Sequence, residues 1–487
     1  MNMSSGIPRR TFIRRGALAA AGGLALASGN NEHLSAYAQS SERPFVTCRK
    51  DRKLVGIYCS ADQVINHPGY LDELQDKLGC NVIIVSHGVN YPDEIRRMTP
   101  FPKEQQWVGA GYAENDENIN RCAEILHSRG IDIWLYGTGH VDGGNDDSLS
   151  PVDFNGMIFR HQPEPKYALE AGGSALCFQK PSIIRWQTNS YSWVCKNYDI
   201  DALYLSHHRY TIPASYPRLF GCACSDCQKA AYRLGYNFDN MKKAMLRLQA
   251  NLHRLTKNKV KQAADLGFTY TDFLQSLAGG TEIMDWLEFR AAAVTDSLGR
   301  INKAIKVATG GRCHFIVDTV NPTFSLLVGH DLKTFLGEVS DAFYPMAWVA
   351  HHYLTVVAAW ANALVERVDG LDEQTALKVV YSLIGWDDID LPRNRIADLH
   401  IGATPKEFNS DEFYRHIKKY IPGLMTHEYR RGALLNVRNL PSYQTVFPHY
   451  WGRKITEPLM DEIMAVGHDG YIFEISPEPF VKRPGSG

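Results

Sequence analysis

The stretch Ile200-Asp201-Ala202-Leu203-Tyr204-Leu205-Ser206-His207-His208-Arg209-Tyr210 begins as an apolar run and ends as a polar and aromatic one. A strand that is apolar on both sides has to be covered on both faces, as parallel strands are, and its polar end then lies at an open edge. The same unit recurs in both directions along the chain. Upstream, Lys53–Ser60, Asn81–Val89 and Ile131–His140 read as strands one to three, with helices over Tyr70–Leu78, Glu117–Arg129 and Pro181–Tyr198. Downstream, His314–Val320, Asp341–Val349, Leu377–Trp386 and Tyr471–Ile475 read as strands five to eight. Their helices are Ile283–Thr309, Leu354–Val368, Glu412–Ile421 and Pro458–Val466.

Eight strands alternating with helices predict an α/β fold, a (β/α)8 TIM barrel. A doubly wound open sheet is the alternative; it would place a glycine-rich turn after the first strand, where Cys59-Ser60-Ala61-Asp62 stands. Two long stretches interrupt the alternation, so the expectation is a single barrel domain over 39–487 with loop insertions after strands three and four, at 141–177 and 211–280.

The first 38 residues read as an export signal. Arg9-Arg10 is followed by Thr11, then Phe12 and Ile13; Gly16–Gly29 is weakly apolar, and Ala36-Tyr37-Ala38 offers a small-x-small cleavage site. The apolar part is too short for an anchor, which needs about 20 strongly apolar residues. This is the twin-arginine pattern, whose passengers travel folded, so the expected location is periplasmic or extracellular. Removing 1–38 leaves 48 basic and 52 acidic residues, a formal charge of −4. Such a chain has no basic excess to recruit nucleic acid, and no second apolar run long enough to span a membrane. Oligomeric state is not legible.

In a barrel the chemistry sits at the C-terminal ends of the strands. Those ends include Thr138-Gly139-His140, the run from Ser206 to Tyr210, Asp318-Thr319-Val320-Asn321, Tyr344 to Trp348, Gly385-Trp386-Asp387-Asp388 and Phe473-Glu474-Ile475-Ser476. Acids, histidines and indoles on one rim suit a carbohydrate: indole faces stack on pyranose rings, and carboxylates and histidines bond hydroxyls. A merely solvated rim is the alternative. Hydrolysis of a glycosidic bond usually needs two carboxyl groups astride it, ~5–5.5 Å apart for retention and ~6.5–9.5 Å for inversion. Asp318 is the first candidate because it closes an apolar strand, Glu474 the second for the same reason, and Asp387 with Asp388 follow. Each acid alone is equally explained by a structural role, with Arg209 as an obvious partner.

All ten cysteines lie beyond the export signal, where disulfides are the default. Cys222-Ala223-Cys224-Ser225-Asp226-Cys227 points elsewhere. This CxCxxC motif, with Gln228 to Gly235-Tyr236 after it, resembles the loop that follows strand four in family 42 β-galactosidases and related glycosidase-like barrels. The resemblance implies a structural zinc on Cys222, Cys224 and Cys227, with Cys177, 45 positions upstream of Cys222, as fourth ligand. Cys195 is the other candidate for that place, and a disulfide within the group is the alternative. Strand four is also similar to that of other glycosidase-like barrels, which read Asp-Gly-(apolar)-x-Leu-Asp-Tyr-x-Arg-Tyr with the second Asp as catalytic carboxylate. Asp201, Leu205, Arg209 and Tyr210 keep the frame, but Ser206 stands where that carboxylate would be.

The leading expectation, from the signal, the strand ends and the resemblance together, is a secreted carbohydrate-active enzyme that hydrolyses glycosidic bonds and whose acids come from other strands: Asp318, Glu474 and Asp387. His140, His208, Arg209, Tyr210, Trp348 and Trp386 would hold the sugar, His208 facing inward on the side it shares with Ser206. Two further readings stay open. A barrel without the strand-four acid would bind glycans and not cleave them, and His208 with His140 and Asp318 would serve a metal-dependent lyase or hydrolase.

Overall fold

The apolar runs form eight strands: β1 (Leu54–Ser60), β2 (Val82–Ser86), β3 (Asp132–Thr138), β4 (Ala202–Ser206), β5 (His314–Thr319), β6 (Tyr344–Pro345), β7 (Tyr443–Val446) and β8 (Gly470–Phe473). The structure is a computed structural model and describes residues 46–100, 115–139, 146–163, 166–167, 176–213, 216–346, 348–402 and 411–484. All neighbouring strands pair in parallel, in the order β6-β5-β4-β3-β2-β1-β8-β7. A single parallel bridge, Phe343 with Ser442, joins β6 to β7 and brings the ends of the sheet together. The result is a nearly closed (β/α)8 barrel.

Side chains alternate about this sheet with a period of two. Leu54, Val82, Ile84, Trp134, Ala202, Tyr204, Ile316, Tyr344, Tyr443 and Ile472 pack inside the ring. Ile57, Val85, Leu135, Leu203, Leu205, Val317 and Phe473 face the helices and join the larger outer core. Each fully buried aliphatic or aromatic side chain contributes about 1.5–3 kcal/mol, so both faces of β4 hold it in place, and neither is free to turn to water. The β1–β8 seam is tight: a Cβ on Gly470 would lie 2.1 Å from the Leu54 carbonyl oxygen.

One strand differs from the sequence reading. Leu377–Trp386 is not strand seven; Glu373–Ile384 is a helix that starts at Asp372, whose side chain accepts from the Thr375 N–H at 2.8 Å, and stops at Gly385 in the left-handed region. Ala376, Leu377, Val380 and Tyr381 are its buried face, a helical spacing. The true seventh strand is the four-residue run Tyr443–Val446.

The N-terminal end of the barrel is sealed by Val46–Cys48. Asp132 Oδ2 accepts from the Val46 and Thr47 N–H groups at 3.0 and 2.8 Å and from the Thr47 hydroxyl at 2.6 Å. Trp134 Nε1 donates to Thr47 Oγ1 at 2.9 Å, and the Cys48 N–H donates to Tyr443 Oη at 3.0 Å. The opposite end is where the chemistry-bearing side chains collect.

Candidate active site

Four tyrosines form the floor of the C-terminal mouth. Tyr58 from β1, Tyr136 from β3, Tyr204 from β4 and Tyr344 from β6 pack ring to ring, with centroid separations from 5.4 to 6.3 Å. Their inward direction follows from the same period of two that brings Ser206 and Asp318 to the mouth. Burial pushes the phenols of Tyr58, Tyr204 and Tyr344 well above the ordinary range, so they remain neutral hydrogen-bond donors.

Two carboxyl groups stand on this floor. Asp318, 1% exposed, sits one residue before the end of β5, in register with Tyr344. Its Oδ2 accepts from the Tyr204 hydroxyl at 3.1 Å and from the Ser206 hydroxyl, and its Oδ1 accepts from the His207 N–H at 3.1 Å. Glu474, 8% exposed, follows β8, and its backbone N–H extends the ladder to the Val446 carbonyl at 3.0 Å. Tyr344 Oη lies 3.4 Å from Glu474 Oε2. Burial pushes the Glu474 carboxyl up to about 8, and the Asp318 charge adds to the shift, while the Tyr58 and Tyr344 hydroxyls oppose it. Among the described residues no basic side chain forms an ion pair with either acid.

The corners after Ser206 and after Glu474 are bent the same way. His207 follows Ser206 with φ at 63°, and Ile475 follows Glu474 with φ at 66°. Non-glycine residues in this region store about 1–3 kcal/mol each, and such strain collects at functional sites. At His207 the bend is held by the Gly139 N–H donating to the Ser206 carbonyl, and a Cβ on Gly139 would fall 2.6 Å from the His208 nitrogen.

That bend redirects the residues after Ser206. His208 does not face the mouth, because the strand alternation that would have turned it inward ends at Ser206. It is fully buried, with Nε2 3.1 Å from Ser297 Oγ on the helix Glu282–Thr309 and its ring 5.6 Å from that of Phe178. Burial, with the nearby His330, pulls its imidazole down to about 3, so it stays neutral. Arg209 is buried and donates to the Tyr210 carbonyl at 3.2 Å. Tyr210 lies under the Arg290 guanidinium, 4.0 Å from its ring, and against Phe178. These three residues thus pack outside the ring, away from the acids.

Trp386 and Asp387 move with the reassigned helix. Trp386 is fully buried between Phe324 and Tyr353 and has no face to offer a sugar. Asp387 and Asp388 are exposed in the turn after that helix, not at a strand end. Trp348, half-buried, does stand at the C-terminal ends of β6 and β7, with its ring edge-on to Phe447 at 4.9 Å. His140 lies outside the described residues. The tyrosine floor and the His207 N–H are functional groups that the sequence reading missed. The inward alternation Ala202, Tyr204, Ser206 was the signal available for Tyr204.

The cysteine motif forms a compact cluster in the loop after β4. One sulfur from each of Cys177, Cys222, Cys224 and Cys227 lies within 4.8 Å of the others, and all four residues are buried. Cys177 Sγ is 3.6 Å from Cys224 Sγ and 3.4 Å from Cys227 Sγ, too far for a disulfide. Four thiolates around one ion at about 2.3 Å would be separated by about 3.8 Å, so the donor set fits a metal. Lys180, paired with Asp226 at 3.2 Å, supplies positive charge next to it: burial works against its ammonium, but Cys224 and Cys177 raise it. Cys195 is not in the cluster; it neighbours Cys313. Among the described residues no other group of three or more histidine, cysteine or acidic side chains is placed to hold an ion, and no helix is long and apolar enough to cross a membrane.

No family model matches the chain, and no curated protein matches it in sequence. Solved structures do. The glycoside hydrolase domain of PgaB (BpsB) from Bordetella bronchiseptica is 11% identical with a TM-score of 0.43, over 88% of this chain and 95% of that one. The catalytic domain of a Paenibacillus polymyxa β-amylase is 13% identical with a TM-score of 0.43, over 88% and 93%. A β-galactosidase from Bacillus circulans sp. alkalophilus is 10% identical with a TM-score of 0.43, over 87% of this chain and half of that one. The chain is a (β/α)8 barrel by its own strand order and parallel pairing.

Proposed function

We propose that the protein hydrolyses glycosidic bonds, with Glu474 as general acid and Asp318 as the ionised partner that attacks the anomeric carbon or activates a water. The observation that carries this reading is the pair itself. Two buried carboxyls with no ion-pair partner among the described residues share one mouth, and their surroundings differ: Asp318 accepts three hydrogen bonds, while Glu474 is pushed up to about 8. A carboxyl held protonated near neutral pH, facing a second carboxyl across one mouth, is the arrangement that glycosidic cleavage uses. Trp348 stands half-buried at the same rim, against Phe447.

The test is turnover of a panel of glycosides and polysaccharides by wild type, Asp318→Asn and Glu474→Gln. Loss of about 10²–10⁴ in kcat/KM in Glu474→Gln, with the fold intact, is the expected result. Full activity in either variant removes that residue from the chemistry. Saturable glycan binding by wild type without turnover would instead favour the non-catalytic barrel. Less supports the reading in which His208, His140 and Asp318 serve a metal, since His208 is buried with Nε2 3.1 Å from Ser297 Oγ.

We also propose that the thiolate cluster holds a structural zinc. Bound there, the ion would cross-link the loop after β4 to Cys177 and take no part in the reaction. Export by the twin-arginine route, after which the protein is periplasmic or extracellular, is proposed from Arg9-Arg10 and Ala36-Tyr37-Ala38.

A further inference from the structure

Ser206 occupies the place where similar strands carry an acid, and its surroundings give it a different task. Its hydroxyl, fully buried, touches Asp318 Oδ2 on one side and lies 2.8 Å from Nδ1 of His207 on the other. A hydroxyl has one proton to donate, and an ionised carboxylate can only accept. With Asp318 ionised, Ser206 donates to Oδ2, and the contact with His207 is a hydrogen bond only if Nδ1 carries the proton. A second order that keeps both bonds has neutral Asp318 donating from Oδ2 to Ser206, and Ser206 donating to Nδ1. The two orders differ by a proton passed from Nδ1 to Oγ and from Oγ to Oδ2, and the ring stays neutral in the second order because Nε2 takes a proton from the cleft as Nδ1 gives one up.

The backbone fixes this line from both ends. The left-handed turn at His207 points its own N–H at Asp318 Oδ1, 3.1 Å away, while its ring returns to Ser206. The ring is half-buried, so it is the one member of the line in reach of solvent. Among the described residues, the titratable groups facing Asp318 are Glu474 from β8 and the phenols of Tyr204 from β4 and Tyr344 from β6.

We propose that His207 is a positioning residue for Asp318, acting through Ser206: its Nδ1–H turns the Ser206 hydroxyl onto the carboxylate, and the three groups form a proton line from Asp318 to the cleft. The catalytic meaning rests on the glycosidase reading of Asp318, but the hydrogen-bond order does not. A neutral imidazole left to water favours Nε2–H, so the order has a direct signature.

The full chain labelled with ¹⁵N-histidine, with His207 assigned by its disappearance in His207→Asn, should show a neutral His207 protonated at Nδ1. In Ser206→Ala the proton should move to Nε2. Wild-type His207 protonated at Nε2 when neutral would overturn the proposal. Kinetics supply the second arm. His207→Asn tolerates the left-handed turn and keeps an N–H near the position of Nδ1; His207→Gly keeps the turn but not the donor. We expect kcat within about threefold of wild type in the first and about tenfold lower in the second, at unchanged KM. Equal kcat in His207→Gly and wild type would sink the positioning role. If no glycan is turned over at all, the hydrolase reading fails while the tautomer still decides the hydrogen-bond order.

Discussion

A carboxyl that burial keeps protonated near neutral pH is able to donate a proton, and Glu474 is in that state. Two consequences follow for pH. If Glu474 is the general acid, kcat/KM should fall as pH rises through about 8, the value to which burial and Asp318 push it. Its folded value lies above the ordinary 4.5, so the folded protein binds the extra proton between the two. Its contribution to stability is complete below about 4.5 and is lost as pH rises to about 8, by roughly 1.4 kcal/mol for each pH unit inside that window. Thermal melts from pH 5 to 9 should therefore show wild type losing stability relative to Glu474→Gln, whose amide cannot ionise. Parallel curves for the two proteins would mean that Glu474 is not held neutral.

At the scale of elements, the thiolate loop is the most sharply testable. Purified wild type should carry one zinc per chain, and Cys224→Ser should lose it, with a stability loss above about 4 kcal/mol read from melting curves. Metal-free wild type of equal stability would show that the four thiols hold together without an ion. Elements also mark what could be read from the chain alone. β4 was legible because its apolar residues run on both faces, and Cys222, Cys224 and Cys227 because their spacing is local, whereas Cys177 was implied only by the resemblance. β7 was not, because Tyr443–Val446 is four residues long and hemmed by Pro441 and Pro448. The apolar weight of Leu377, Val379 and Val380 drew the strand to a helix whose Asp372 cap and Gly385 stop were the better signals. The inward face of His208 failed for a related reason. Periodicity holds only while the strand lasts, and nothing local to Ser206-His207 announces that the backbone turns left-handed there.

For the whole molecule, the parts argue for one order of events. The cysteine cluster joins buried residues 45 to 50 positions apart, so the proposed zinc would be loaded as the chain folds. A route that exports folded proteins suits that order. Replacing Arg9 and Arg10 by lysine should leave the protein in the cytoplasm, folded and metal-loaded, as read by cell fractionation; unimpaired export would refute the signal. The barrel seam has a consequence of its own, in time. Leu54 on β1 is the ladder partner of Gly470 on β8, 416 positions later. At roughly 5–20 residues synthesised per second, the first strand waits about 20–80 s for the strand that closes the ring. Throughout that interval β1 exposes an unpaired edge, a template for any strand that arrives first. Where several ribosomes share one message, the late strand of a neighbouring chain competes for the same edge. Faster elongation shortens the wait, and slower elongation favours exchange of β8 between nascent chains.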